Sequence, residues 1–336
     1  DPDATCADPA FPDDSEAGGF WNPPFEHVKI GVKWIIERPF ALLADDMGGA
    51  KTAQALIAAQ FLHDMDLIDR VIVIAPAAVR PKVWFDEDLG QTREQVFEDK
   101  RILVSEYHAK VRQWIQGPKD AKELRIIATN YEFIRRPDRL ANLLPYCGPK
   151  TLLVLDESSA VKGWNTQQTN ACMLLRWQAK RNRKGDLRPV MGAERCGRML
   201  LLNGTPVANS PRDMFSQGNL MHPSILDCPF ITHYEARYGV KEIVRRTSGI
   251  PMLNPRTGKL LEQVTSWTNL EDLQRRFAPY VLRREAKDLG IDFALPPVGL
   301  EVQLTQQTWD AYREMRDEMV VWLEQGGVAV ARQAAT

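Results

Sequence analysis

The chain has 336 residues, with 43 Lys and Arg against 44 Asp and Glu, a formal charge of −1. Hydrophobic content of 44% and charged content of 26% exclude a disordered, collagen-like or disulfide-stapled chain. Near-zero charge excludes a protein held to nucleic acid by bulk charge, though not a local basic groove. The length allows about two domains and a sizeable core. No apolar run reaches the roughly 18 residues of a helical membrane span. The first sixteen residues carry six acids and no Lys or Arg, unlike a secretory leader. The five cysteines are odd in number, widely spaced and without a C-x-x-C pair, which predicts free thiols in a reducing compartment. The five histidines are scattered, with none at metal-ligand spacing.

Taken in chain order, residues 1–20 are acidic and rich in Pro, Asp and Ala, and are expected to be a disordered tail. FEHVKIGVKWIIER predicts a helix with Val28, Val32, Ile35 and Ile36 on one face. PFALLA (Pro39–Ala44) reads as a strand and KTAQALIAAQFLHDM (Lys51–Met65) as a helix. RVIVIA (Arg70–Ala75), LRIIAT (Leu124–Thr129), TLLVLD (Thr151–Asp156) and MLLLNG (Met199–Gly204) read as further strands. Such short, continuous, Leu-rich or β-branched runs are the signature of buried parallel strands. Their alternation with helices predicts a doubly wound α/β sheet with right-handed crossovers. The segment from Lys180 to Arg198 breaks the pattern with seven basic residues against two acids. It is expected to be a solvated loop, with nucleic-acid contact as the sharper alternative. From Pro223 to Pro279 aromatics, prolines and basic residues mix, and an inserted, mainly helical subdomain is expected.

Three motifs carry chemistry. LLADDMGGAKTAQAL (Leu42–Leu56) runs from an apolar strand through a Gly-rich turn and Lys-Thr into a helix, the context a phosphate loop requires. Backbone amides of Met47, Gly48, Gly49, Ala50, Lys51 and Thr52 would face phosphates at the helix N-terminus. Lys51 would reach the β/γ-phosphates and Thr52 would offer its hydroxyl to Mg2+. The match to G-x-x-x-x-G-K-[ST] is incomplete, because Ala44 stands at the first Gly and Ala50 precedes Lys51; a plain Gly-rich turn is the alternative. TLLVLDESSAVKGW (Thr151–Trp164) ends a buried strand in two carboxylates, 105 residues after Lys51. Asp156 would hold Mg2+ and Glu157 would polarise a water as general base. MLLLNGTPVANS (Met199–Ser210) ends a strand in Asn-Gly-Thr-Pro, which is turn chemistry in its own right.

In order and spacing, LADDMGGAKT, DESS and LNGTPVAN (including Asn209) resemble the first three motifs of Swi/Snf-type superfamily II helicases and translocases. PFEHVKIGVKW, VIVIAPAAV with Trp84, IIATNYEFI, the stretch Asn269–Pro297 and EVQLTQQTWDAY extend the likeness from Pro24 to Tyr312. The resemblance implies a RecA-like P-loop lobe with helices on both faces of a parallel sheet. It further implies ATP and Mg2+ as cofactors, double-stranded DNA as partner and DNA-associated localisation in cytoplasm, nucleoid or nucleus. Gly204, Thr205 and Pro206 are then the element coupling nucleotide state to the nucleic-acid site. Pro76, Ala77, Thr129, Asn130 and Tyr131 are the implied phosphate-contacting loops, and Arg283 and Arg284 lie in an arginine brace, expected to form an ion pair tying the protrusion to the lobe, with phosphate contact as the alternative. The expected division is a tail at 1–20, an ATP-binding lobe at 21–222, a protrusion at 223–280, brace and return elements at 281–312, and the start of a linker at 313–336. The family's second lobe supplies an arginine finger; only about 24 residues follow Tyr312, so poor hydrolysis by the isolated chain is expected.

Three departures stand out. Ala50 replaces a glycine and costs about 1 kcal/mol if the position needs positive φ. Val28 stands where the family reads adenine with Gln, and has no donor or acceptor to do so. Ser159 replaces the last residue of the DEAH-like box. The first two favour a second reading, a module that keeps the fold but not the nucleotide. A different P-loop enzyme, such as a small-molecule kinase, is the third reading, against which the Gly-Thr-Pro element and the brace stand.

Overall fold

The computed structural model describes residues 25–77, 84, 102–106, 124–204, 210–245, 250–253, 258–289, 303, 305–318, 320–322 and 328–330. The chain divides into two compact units, 1–292 and 293–336.

In the first unit the order is α1 (Glu26–Ile36), β1 (Phe40–Leu43), α2 (Lys51–Asp64), β2 (Arg70–Ala75), β3 (Ile102–Glu106), β4 (Leu124–Asn130), α3 (Tyr131–Ile134), α4 (Pro137–Leu143), β5 (Thr151–Leu155) and α5 (Gln167–Arg176). There follow β6 (Trp177–Arg181), β7 (Leu187–Glu194), β8 (Arg198–Leu202), α6 (Asp213–Met221), α7 (Pro223–Leu226), α8 (Ile231–Tyr238), β9 (Gly239–Ile243), β10 (Glu262–Trp267), α9 (Leu270–Phe277) and β11 (Val281–Leu282). Seven strands form one sheet in the order β11-β1-β8-β5-β2-β4-β3, and every pair in it is parallel.

The strand residues alternate between two cores, as a period of two demands. Leu42, Ile72, Ile74, Ile127, Leu153, Leu155 and Leu201 pack with residues of α3–α9. Ala41, Leu43, Val71, Val73, Ile126, Val154 and Leu200 pack with α1, α2 and Trp84 on the opposite face. Both faces are thus covered, which explains why these strands are apolar throughout. Val28, Val32, Ile35 and Ile36 are all buried on α1, the face read from spacing alone. This is the doubly wound RecA-like architecture expected from the sequence.

The basic segment corrects the sequence reading. Instead of a solvated loop, β6 and β7 form an antiparallel hairpin ahead of β8. Its strands were hidden by charge and by Pro189 and Gly192, which read as strand breakers. A two-stranded ribbon is all edge, and an edge tolerates both. The expected helical subdomain contains α7, α8 and α9 and also a second hairpin, β9–β10, that its mixed composition did not reveal.

The second unit, in its described part, consists of α10 (Gln306–Glu318) and the antiparallel pair β12 (Val320–Trp322) and β13 (Val328–Val330). The strand expected at Glu301 lies outside the described residues, save Gln303.

Candidate functional site

The strand order sets the site. β8 lies between β1 and β5, with Leu43 level with Leu202 and Leu155 level with Leu201. The turns leaving the carboxyl ends of these three strands therefore stand side by side, where ligands bind in open α/β sheets.

After β1 the chain must reverse into α2 within a few residues. It does so through two left-handed positions, Gly48 at φ 85° and Ala50 at φ 52°. Gly48 adopts this freely, whereas Ala50 carries strain of about 1 kcal/mol. Gly49 is required for space: a Cβ there would lie 2.9 Å from Asp45 Cβ and 3.2 Å from the Asp46 carbonyl oxygen. No side chain caps the N-terminus of α2, so its first-turn amides and the positive end of its dipole are left for an anion. Thr52 is half-buried in that first turn, and Met47 is 77% exposed beside it. Lys51 Nζ donates to the carbonyl oxygens of Asp45 at 2.7 Å and Asp46 at 3.1 Å. Burial lowers the Lys51 pKa, opposed by the nearby Glu157, Asp45, Asp156 and Asp46 carboxylates.

The loop is held from far along the chain. Asp45 is fully buried. Arg284 grips it from two sides, Nε to Oδ1 at 2.9 Å and an Nη to Oδ2 at 2.5 Å. The same guanidinium donates to His27 O and Gln54 Oε1, and Gln54 Nε2 donates to Asp45 Oδ2 and Gly49 O. Gly31 makes room, since a Cβ there would lie 1.6 Å from Gln54 Oε1. The backbone repeats the clamp: Ala44 N donates to Leu282 O, Asp46 N to Arg284 O, and Ala286 N to Asp46 Oδ2. Arg284 forms an ion pair, made within the lobe to Asp45 of the phosphate loop and not between protrusion and lobe; Arg283 is exposed.

Opposite Lys51 stands the acid pair. Asp156 is nearly buried. Its Oδ1 accepts from Glu157 N at 3.0 Å and its Oδ2 from Trp84 Nε1 at 2.9 Å. Burial raises the Asp156 pKa, and the Trp84 bond opposes that rise. Glu157 is also raised, by burial first and then by Asp156. Glu157 itself is left-handed, at φ 47°. Non-glycine residues in that region are costly and concentrate at functional sites. Gly204, at the end of β8, completes the cluster: a Cβ there would sit 3.8 Å from Lys51 Nζ and 3.7 Å from Asp45 O. Thr205, Pro206 and Asn209 lie outside the described residues.

Of the loops expected to touch nucleic acid, Pro76 is half-buried and Ala77 exposed. Asn130 caps α3, accepting from Phe133 N at 2.7 Å. Thr129 and Tyr131 are buried, and the Tyr131 hydroxyl donates to Asp156 O at 2.8 Å. Tyr131 thus supports the end of the acid pair's strand from within, and neither side chain faces solvent, so surface contact at this loop narrows to Asn130 and backbone. Sequence reasoning missed Arg284's carboxylate partner and the bond from Trp84 to Asp156. Val28 is buried in the α1 face and presents no polar group.

A model of the SNF2-related domain matches residues 27–334. The chain belongs to the SNF2-related domain family. Protein CHROMATIN REMODELING 4 of Arabidopsis thaliana is 23% identical over 326 residues, covering 92% of this chain and 12% of that protein. The SNF2 domain-containing protein ENL1 of Oryza sativa subsp. japonica is 21% identical, covering 91% of this chain and 28% of its own length. Among solved structures, the Sulfolobus solfataricus SWI2/SNF2 ATPase core in complex with dsDNA matches with TM-score 0.54 at 19% identity, over 90% of this chain and 54% of that one. The chain thus spans a small part of these curated relatives and about half of the solved core. Among the described residues, no helix of this SNF2-related chain is long and apolar enough to cross a membrane.

Proposed function

We propose that the chain is the nucleotide-binding lobe of an ATP-driven translocase on double-stranded DNA, one that remodels or displaces bound protein without separating strands. The carrying observation is that Lys51, at the foot of an uncapped helix, stands beside Gly204 and within the field of the Asp156 and Glu157 carboxylates. The residues fit the nucleotide. An uncapped 14-residue helix and a lysine resting on backbone carbonyls suit a phosphate chain. A hydroxyl plus one carboxylate suits Mg2+, which keeps most of its water.

In this reading Met47 to Thr52 cradle the phosphates, and Thr52 and Asp156 hold the ion. ATP supplies the phosphoanhydride whose cleavage drives movement. Lys51 leaves its two carbonyls to neutralise phosphate oxygens. Glu157 takes a proton from the attacking water at its carboxylate, a task to which a raised pKa is suited. Gly204, with Thr205 and Pro206, senses the phosphate side and transmits it. In this reading a transition-state arginine comes from a second lobe. The chain by itself turns over slowly.

Val28 and the strain at Ala50 favour one other reading, a duplex-binding module of the same fold without nucleotide. Calorimetric titration with ATP, with and without Mg2+, separates them. Saturable Mg2+-dependent binding that Lys51→Ala abolishes supports the motor lobe. No binding at millimolar ATP leaves the module. Fast DNA-stimulated hydrolysis by the chain alone would overturn the assignment of the finger to a second lobe.

A further inference from the structure

The hairpin β6–β7 is built as a rigid arm with a charged end. Its base is locked into the lobe. Arg176 is fully buried, pairs with Glu194 at 2.6 Å and donates to the carbonyls of Cys196, Leu220 and Met221. Trp177 is buried beneath it and donates Nε1 to Asn219 O at 3.1 Å. Arg195 Nε reaches Leu174 O at 3.1 Å.

The tip is preorganised as well. Asn182 Oδ1 accepts the amides of Lys184 and Asp186, both at 2.9 Å. Asn182 Nδ2 donates to Asp186 Oδ2 at 3.0 Å and Arg181 to Gly185 O at 2.7 Å. Gly185, at φ 86°, supplies the left-handed residue the turn needs. Asp186, the acid of the tip, is engaged by Asn182 and lies 3.8 Å from Arg188.

What the turn leaves over is cationic. Lys180, Arg183 and Lys184 are exposed, and no carboxylate among the described residues pairs with them. Nothing in the packing needs them. The arm lies back over α3–α5, leaving a groove of about 780 Å³ lined in part by Arg135, Arg181, Arg188 and Leu174. Arg135 is exposed and directly follows α3, four residues after Tyr131. The basic tip therefore adjoins the surface that begins at Asn130. Of the acids nearby, Asp138 pairs with Arg136 at 3.2 Å, and Glu132 is exposed.

We infer that the tip of β6–β7, through Lys180, Arg183 and Lys184 with Arg135 beside them, is a second contact for the phosphate backbone of duplex DNA. This rests on the duplex-translocase reading above and adds a site to it. Contact is to phosphate and not to bases. The polar amides that could read an edge are committed: Asn182 closes the turn, and Gln178 donates to Glu194 O. Lysine and arginine on a stiff ribbon give sequence-independent, salt-sensitive binding.

The test is fluorescence anisotropy of the whole chain with a labelled 30-base-pair duplex of random sequence, from 50 to 200 mM KCl. The variant carries Lys180→Gln, Arg183→Gln and Lys184→Gln, leaving the turn-shaping Arg181 and Arg188 in place. Each phosphate contact adds about 0.9 to the slope of log affinity against log salt, so the triple variant is expected to lose about 2–3 in slope with unchanged circular dichroism. A Lys184→Arg control keeps the slope. Wild-type binding with the same slope in the triple variant overturns the hairpin site and leaves the translocase reading standing. The same result together with lost binding to poly-glutamate reassigns the tip to an acidic protein, and equally overturns it. No duplex binding by the wild-type chain at any salt overturns both.

Discussion

The phosphate loop and the basic hairpin both carry clustered charge and use it in opposite ways. In the loop, Asp45 is buried and matched by Arg284 at hydrogen-bond distance, and Lys51 is spoken for by two carbonyls. In the hairpin the base is tightly matched, Arg181 and Arg188 are engaged within the turn, and Lys180, Arg183 and Lys184 stand exposed. Charges in the loop hold a backbone shape; at the tip Lys180, Arg183 and Lys184 pair with no carboxylate among the described residues. The difference separates residues whose loss unfolds the lobe from residues whose loss changes only what it binds.

The largest effect is expected at the buried pair. Arg284→Ala strands the Asp45 carboxylate in the core, which costs about 3–5 kcal/mol. Urea unfolding measures it, and a loss below about 1 kcal/mol would mean that the loop is held by its backbone clamp alone. Next is Trp84→Phe, which keeps the packing and deletes the bond to Asp156, at about 1–3 kcal/mol for an unsatisfied buried group. That bond lowers the Asp156 pKa, so its loss raises it. Mg2+-dependent nucleotide binding requires the ionised carboxylate, and its acid limb is expected to move to higher pH. A limb that stays put would reduce Trp84 to packing.

Ala50→Gly is expected to stabilise by about 1 kcal/mol, because the left-handed turn no longer opposes a Cβ; a fall in Tm would show that the methyl packing matters more. Smallest is the pH response of Asp272. Hydrogen bonds from Arg276, Arg275 and Tyr238 hold its carboxyl well below the ordinary aspartate value. Its contribution is therefore present above that ordinary value and lost as acid protonates the group. Asp272→Asn is expected to flatten the acid side of the stability curve slightly, and no flattening would leave α9 anchored by Leu273 and Phe277 alone.

The sheet was legible in the sequence because its strands are buried on both faces, and RVIVIA or TLLVL admit few other readings. The phosphate loop and the acid pair were legible because Gly, Lys, Thr and paired acids are demanded by local geometry. Ala50 was flagged by its departure from that demand, and its left-handed backbone is what the departure foretold. Four things were not legible. β3, with Ser105 and Glu106 in a five-residue run, carries too weak a pattern. The hairpin strands were masked by charge, because a ribbon open to solvent has no buried face to advertise. The partners of Asp45 and Asp156 lie 239 and 72 residues away, and no local pattern encodes such distances. Thr129 and Tyr131 looked like surface residues because they sit at a strand's end. Thr129 is buried within β4, and the α3 helix starting at Tyr131 turns that side chain inward.

The separation of Asp45 from Arg284 also has a meaning in time. A ribosome adding about 5–20 residues per second takes roughly 10–50 s to travel from one to the other. Throughout that interval the nascent chain holds a complete phosphate-loop sequence whose central carboxylate lacks its counter-ion, and β1 lacks its β11 neighbour. The lobe closes its loop only after the inserted helices and hairpin have been made. Ribosome-stalled chains ending before and after Arg284 should therefore differ sharply in protease resistance around residues 44–54, a step that places synthesis order among the determinants of a competent site.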